Sequence, residues 1–353
     1  MNLSTRLLWL VLGALLVASA AAAGVNRWTT AGPGTTTYRL SLDPDGGFVF
    51  AAGLRDVFRS GDRGRSWTSS RPPETFTYPC PEANIVGVDA MRTAQGTAVY
   101  VRTYRASEFP GCPPSSWAFW KSLDAGSSWI ATSFQAESLA VDTNGQTIAY
   151  LTETTCSGFP PFPTCGPPLI QYMYGTENGG ATWDVRYGLI SAGLIPLAVD
   201  PEDARIVYGI KQGRLVRSSD GARTWLDAFL GAIPENIWTT PGAVFVTSGA
   251  NLLHRSTDGG ATWEQTASAP PASINSLVAD PHRPGLLWAG TVGQGIFRSA
   301  DNGDTWVPDN EGIETLTVYD LAFDPSGRIL YAATDQGVFS RETRAPRVVA
   351  PRP

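Results

Sequence analysis

The chain has 353 residues, 42% of them hydrophobic and only 16% charged, with a formal net charge of -6. That balance supplies a sizeable core and argues against nucleic acid as a partner, because phosphate binding needs a basic stripe. With 37 Gly and 27 Pro, the composition suits many short strands joined by turns, in one large β domain or two ordinary ones.

Residues 1–23 read as a secretory signal peptide. Arg6 gives the positive start, Leu7 to Ala18 an apolar run, and small residues continue to Gly24; cleavage near Ala20 or Ala23 fits the small-x-small pattern. The apolar run is short for a bilayer span of roughly 20 residues, and no later segment approaches that length. The mature protein is therefore expected to be soluble and either secreted or periplasmic, without a stable membrane span. In an exported chain Cys80, Cys112, Cys156 and Cys165 read as disulfide partners rather than zinc ligands.

From residue 24 to 343 one unit recurs. A strand ending in Asp comes first: LSLDP (40–44), VGVDA (86–90), LAVDT (139–143), LAVDP (197–201), LVADP (277–281) and LAFDP (321–325). A short apolar strand comes next, then a third strand that runs into the phrase Ser-x-Asp-x-Gly-x-Thr-Trp. That phrase occurs six times, with Asp62 and Trp67, Asp124 and Trp129, Asn178 and Trp183, Asp220 and Trp225, Asp258 and Trp263, and Asp301 and Trp306 at its key positions. A final strand opens at the tryptophan. Alternating, β-branched and aromatic-rich segments punctuated by Asp-Pro and Gly-Gly predict strands. Four per repeat predicts an all-β, seven-bladed β-propeller of four-stranded antiparallel blades.

The seventh repeat stops after its third strand, whereas residues 26–30, Asn-Arg-Trp-Thr-Thr, look like the segment at the end of a box, such as Arg65-Ser66-Trp67-Thr68-Ser69. Residues near 26–31 are therefore expected to supply the missing outer strand, which closes the ring and leaves no pairing edge. Residues 344–353, rich in Pro and Arg, are expected to be a disordered tail.

Within each box the hydroxyl and carboxylate can satisfy turn N–H groups, the Gly permits positive φ, and the Trp packs between sheets. Asn178 in place of Asp, and Ala222 in place of Gly, predict two less regular turns. His254 falls in a slot held elsewhere by Phe58 and Phe297, and His282 sits in an Asp-Pro-His-Arg-Pro turn. Neither supports a zinc site. Asp43-Pro-Asp-Gly-Gly and Asp301-Asn-Gly-Asp304 lack the acid spacing of a calcium loop. No metal and no cofactor is expected.

Six boxes in register resemble the Asp-box (bacterial neuraminidase repeat) β-propellers, over essentially all of residues 26–343. Members include sialidases, xyloglucan-type glycoside hydrolases, the sortilin ectodomain and photosystem II assembly factor-like propellers. The resemblance implies that the boxes lie away from the working face and that their acids are structural.

The opposite face carries the second-to-third strand loops and the links between blades. The two longest insertions, about Thr103 to Ser116 and Thr154 to Pro168, belong there. All four cysteines fall on that face, which favours the pairs Cys80–Cys112 and Cys156–Cys165. Candidate binding residues on these loops are Tyr104, Arg105, Glu108, Phe109, Phe159 and Phe162, with Arg102 and Trp117 at the strand ends; aromatics and Arg dominate binding hot spots. Asn236 and Trp238 are further candidates.

A sialidase needs an Arg triad, a Tyr–Glu nucleophile and an early Phe-Arg-Ile-Pro-like motif. Tyr38-Arg39-Leu40-Ser41 lacks the Pro, and Arg59, Arg217, Arg255 and Arg298 recur before the boxes as structural residues would. A glycosidase needs two carboxylates across a cleft, and nothing in the sequence pairs Glu82, Glu108, Glu137 and Glu153. The resemblance in size and blade number is to the photosystem II assembly factor-like propellers. That resemblance implies protein-partner handling, and the chain is read as a monomeric, non-catalytic scaffold for a protein or glycan ligand on the loop face, with a carbohydrate-active hydrolase of the sialidase or glycosidase type as the alternative.

Overall fold

Each repeat folds into one antiparallel four-stranded sheet because its apolar segments alternate with turns that only short hairpins can satisfy. The computed structural model describes residues 27–73, 82–106, 116–142, 147–156, 169–189, 193–228, 231–313 and 317–343. They form seven four-stranded sheets, each in simple sequence order except the last. The inner strands are Arg39–Leu42, Asn84–Thr93, Ser138–Val141, Leu194–Val199, Pro234–Thr240, Ile274–Ala279 and Val318–Phe323, which begin blades one to seven. The signal segment, the tail, Cys80, Cys112 and Cys165 lie outside the described residues, as do Glu108, Phe109, Phe159 and Phe162.

Ring closure occurs where the sequence places it. Thr29–Thr30 pairs with Gly337–Glu342 as the outer strand of blade seven, with Thr29 opposite Ser340 and Thr30 opposite Phe339. Trp28 is 1% exposed and packs with Trp288, Ile296, Ile313, Leu330 and Phe339 in the core between blades six and seven. Its indole Nε1 donates to the Asp309 carbonyl at 2.9 Å. Trp28 thus fills the place of a seventh box tryptophan.

The other six interfaces each hold a box tryptophan. Trp67 packs between blades seven and one, Trp129 between one and two, and Trp183 between two and three. Trp225, Trp263 and Trp306 continue round the ring. One aromatic residue per second strand stands at the same register: Phe50, Tyr100, Tyr150, Tyr208, Phe245, Trp288 and Tyr331. All are buried. Burying side chains of this size is worth on the order of a few kcal/mol each.

The boxes are turns with two successive left-handed residues. Arg63 and Gly64, Ala125 and Gly126, and Asn302 and Gly303 all have positive φ. Ser60 Oγ donates to Asp62 Oδ1 at 2.8 Å and accepts from Gly64 N at 2.7 Å, while Asp62 accepts from the N–H and hydroxyl of Ser66. The Ser66 hydroxyl, its N–H and then Ser60 hold the Asp62 carboxyl down to about 2. Asp124, Asp258 and Asp301 are held at about 2 in the same way by Ser128, Thr262 and Thr305. At Asp220 burial opposes the shift, but bonds from Thr224 and Ser218 outweigh it and the carboxyl again sits at about 2.

The two deviant boxes keep this geometry, contrary to the sequence expectation. Asn178 Oδ1 accepts from Thr176 Oγ1 and Thr182 N, both at 2.9 Å, and its Nδ2 donates to Thr182 Oγ1. Ala222 adopts φ +66 and donates to Ser218 Oγ at 2.9 Å. The network needs an acceptor at the first site and a small residue at the second, and both are present.

Two further differences concern strand limits. The outer strands begin one residue after the box tryptophan, as at Thr68 and Ile130. In blades two and three the hairpin strands run on to Arg105 and Cys156 and resume at Ser116 and Leu169, so the insertions are shorter than their sequence limits.

Candidate functional site

Antiparallel order puts the box turns at one end of the ring and the second-to-third hairpins, with the links between blades, at the other. Through the middle runs a cavity of about 670 Å³ lined by the inner strands of all seven blades.

Strand register defines levels along this channel. Near the loop face the equivalent positions are Arg39, Gly87, Ser138, Ile195, Asn236, Ser276 and Asp320. Gly87 has no side chain, and the space is taken by Arg102 from the paired second strand. A Cβ on Gly87 would overlap the Arg102 guanidinium. Arg102 is thus part of the channel wall rather than of the outer loops, and its Nη1 donates to the Glu137 carbonyl at 3.1 Å.

One step deeper stand Ser41, Asp89, Ala140, Ala198, Trp238, Val278 and Ala322. Asp89 corrects the sequence alignment. VGVDA matched it to the strand-ending Asp of the other repeats, but the blade-two strand runs on to Thr93, and Met91 occupies that end position. The strand-ending acids themselves serve turns: Asp43 accepts from Gly47 N at 3.0 Å and Asp280 from His282 N at 2.8 Å. Asp89 is freed from that task and faces inward.

Asp320, Arg39, Asp89 and Arg102 form a run of alternating charge across blades seven, one and two. Asp320 accepts three hydrogen bonds, from Leu40 N at 2.9 Å, Ser276 Oγ at 3.0 Å and Leu321 N at 2.9 Å. Asp89 Oδ2 and Arg102 Nε are buried with no hydrogen-bond partner. Burial pushes the Asp89 carboxyl up, opposed by Arg102 and then Arg39. It also pushes Asp320 up, opposed first by Arg39, and Arg102 down, opposed by Asp89.

On the loop face, Tyr104 and Trp117 form a cross-strand pair with ring centroids 4.6 Å apart. Arg105 is 7% exposed and donates to Ser116 Oγ at 3.2 Å. Tyr38 and Tyr319 pair at 5.0 Å beside the channel mouth. Glu82 is tied to Arg55. Glu153 accepts from Gln135 N at 2.9 Å, and burial pushes its carboxyl up. Among the described residues, ten large hydrophobic side chains are exposed. Leu54, Ile195, Ile233, Leu252 and Val292 are on or beside the loop face, four are on outer strands, and Leu123 alone belongs to a box.

The remaining motifs are structural. Arg59 and Arg255 dock on the next blade's box, at the Ala125 carbonyl (3.1 Å) and the Asn302 carbonyl (2.6 Å). His254 Nε2 lies 2.9 Å from Ser248 Oγ within its sheet, and burial pushes its imidazole down. Among the described residues no cluster of His, Cys, Asp or Glu has the makings of a metal site, and no helix is long and apolar enough to cross a membrane.

No family model matches the chain. Over 166 residues it is 25% identical to a probable oligoxyloglucan-reducing end-specific xyloglucanase of Neosartorya fischeri, covering 42% of this chain and 20% of that protein. Over 221 residues it is 24% identical to the oligoxyloglucan-reducing end-specific xyloglucanase of Emericella nidulans, covering 54% and 27%. The matched stretches thus span well under half of these curated relatives. Among solved structures, a GH74 enzyme from Niastella koreensis superposes with a TM-score of 0.61 at 16% identity, covering 90% of this chain and 54% of that one. YCF48 bound to a D1 peptide gives 0.61 at 15% identity and covers 92% and 96%. YCF48 from Cyanidioschyzon merolae gives 0.60 at 14% identity and covers 90% and 98%. These likenesses establish the seven-bladed propeller and leave activity open.

Proposed function

We propose that this protein is an exported, monomeric, non-catalytic β-propeller that holds a protein partner on its loop face. The observation that carries this reading is the placement of Leu54, Ile195, Ile233, Leu252 and Val292, which give one end of the ring an apolar character that the box end lacks. Four of the five belong to the neighbouring blades four to six, and exposed apolar side chains there offer surface that a protein partner can cover. The Tyr104–Trp117 pair adds rigid aromatic area of the kind that anchors such contacts. Export rests on the character of residues 1–23, and the disulfides Cys80–Cys112 and Cys156–Cys165 belong to the same proposal.

A carbohydrate-active hydrolase is the second reading, favoured by the xyloglucanase identities and by Asp89 and Asp320 in one channel. A glycosidase pair needs one carboxyl as general acid and the other as base or nucleophile, both facing the scissile bond, and Asp320 turns its oxygens to Leu40 N, Ser276 Oγ and Leu321 N. Two assays on the purified protein separate the readings. A fluorogenic glycoside panel should give no turnover, and affinity capture by the wild type should be lost in Leu54→Asp/Ile233→Asp/Val292→Asp but kept in Leu123→Asp. Turnover abolished by Asp89→Asn would support the hydrolase instead.

A further inference from the structure

We propose that the outer edge of blade three is a second docking site, apart from the loop-face rim, that takes an extended segment of a partner protein as a fifth strand. Each blade ends on an outer strand with one unpaired edge, and keeping such strands very short is a common guard against unwanted pairing. The outer strands of the other blades obey that rule, with two or three residues each. Blade three breaks it. Its outer strand, Asp184–Leu189, has six residues, and among the described residues it pairs only on its inner side.

A strand laid beside this edge would meet backbone groups that now face water, and side chains near the edge add to the contact. A bulge at Arg186 divides the strand. Arg186 is not a charged guard on the edge, because its side chain is 7% exposed and turns to Glu177 Oε1 at 2.8 Å. Beyond the bulge, Tyr187 and Gly188 pair with Met173 and Tyr172. Gly188 is exposed and Tyr172 half-buried, and a Cβ at Gly188 would lie 3.4 Å from the Tyr172 ring. The missing side chain thus leaves that ring open toward the edge. Tyr174 and Phe134 continue the row, with ring centroids 6.2 and 5.0 Å apart. Val185, 58% exposed, stands opposite Tyr174. Aromatic and β-branched neighbours are the stuff of favourable cross-strand pairs.

Charge decides which segment. Asp184 is exposed at the start of the strand, and the nearby cation Arg186 is already taken by Glu177. The partner segment therefore carries Lys or Arg at the end beside Asp184, and β-branched residues at alternate positions to cover Val185 and Tyr172. A second copy of this chain fits less well. Paired antiparallel along the whole strand, it would set Leu189 opposite Asp184 and supply no cation there.

The test is fluorescence anisotropy on the full chain with a labelled probe, Thr-Val-Thr-Val-Thr-Val-Lys amide. Controls are the same peptide with its central amides N-methylated, which blocks strand pairing, and one with Glu in place of Lys. The expected result is saturable binding of the probe, none of the N-methylated peptide and weaker binding of the Glu peptide. Affinity should fall about tenfold in Asp184→Lys/Val185→Lys, through a lost cross-strand pair and a reversed charge. Both positions are exposed, so the variant should fold as the wild type does. Hydrogen–deuterium exchange should show the probe protecting the amides of 184–189 and not those of 68–70. Absence of binding, equal binding of either control peptide, unchanged affinity in the variant, protection elsewhere, or self-association of the chain through this strand would overturn the proposal. The rim variant Leu54→Asp/Ile233→Asp/Val292→Asp should bind the probe normally, so failure here and failure of the rim reading are told apart.

Discussion

Replacing Trp28 with alanine tests how the ring is closed. The side chain is 1% exposed in the core between blades six and seven, and a buried Trp→Ala change costs about 3–5 kcal/mol through lost transfer energy and a residual cavity. The Nε1 bond to the Asp309 carbonyl is lost as well, as is the stacking of the Arg341 guanidinium 5.9 Å from the ring centroid. Thr29–Thr30 is only a two-residue strand, so its anchor is the indole rather than its ladder. Urea unfolding monitored by far-UV circular dichroism should show the loss, with Val307→Ala on an exposed outer strand as a control expected to stay within about 0.5 kcal/mol. A cost below about 1 kcal/mol for Trp28→Ala, or one no larger than the control's, would refute the closure argument.

The same structure sets four other outcomes. The box carboxyls at about 2 lie below the unfolded value of about 3.9. Their stabilisation is therefore complete above about pH 4 and is lost as pH falls toward about 2, which a thermal-melt series from pH 7 to pH 2 would show as a steep decline below pH 4. Asp62→Asn should leave the turn intact, since Asn178 already serves one box, and should reduce that acid sensitivity; a collapse of stability at pH 7 would contradict it. Asp320→Ala strands Leu40 N inside the ring, while Leu321 N keeps its 3.1 Å bond to Ser276 Oγ, and should cost about 1–3 kcal/mol, read by the same urea titration. Arg255→Ala removes the bond to the Asn302 carbonyl and the ion pair with Glu264. It should destabilise the protein without altering partner capture, if these repeated arginines are structural.

The architecture is legible in the sequence because each blade repeats the same solution to the same problem. The tryptophan positions are visible as letters, and Arg-Trp-Thr at 27–29 resembles the end of a box closely enough to reveal the closure. The channel is not legible in that way. Asp89 is camouflaged by VGVDA, a good match to a motif whose Asp serves a turn elsewhere; only the pairing of Asp89 with Tyr100 shows that the strand continues. Arg102 belongs to the channel because of Gly87, a contact between paired strands that no spacing rule predicts. Asn178 and Ala222 mislead in the opposite direction. The turn depends on an acceptor and a small residue, not on the consensus letters. Asn236 and Trp238 stand out as irregular in the sequence, and the structure places both on the channel wall.

The most direct measurement of the account is hydrogen–deuterium exchange on the protein with and without its captured partner. If the loop face is the working surface and the boxes are structural, protection should appear in peptides covering Leu54, Ile233, Leu252 and Val292, while those covering Asp62, Asp258 and Asp301 stay unchanged. Protection confined to the box turns would contradict the account.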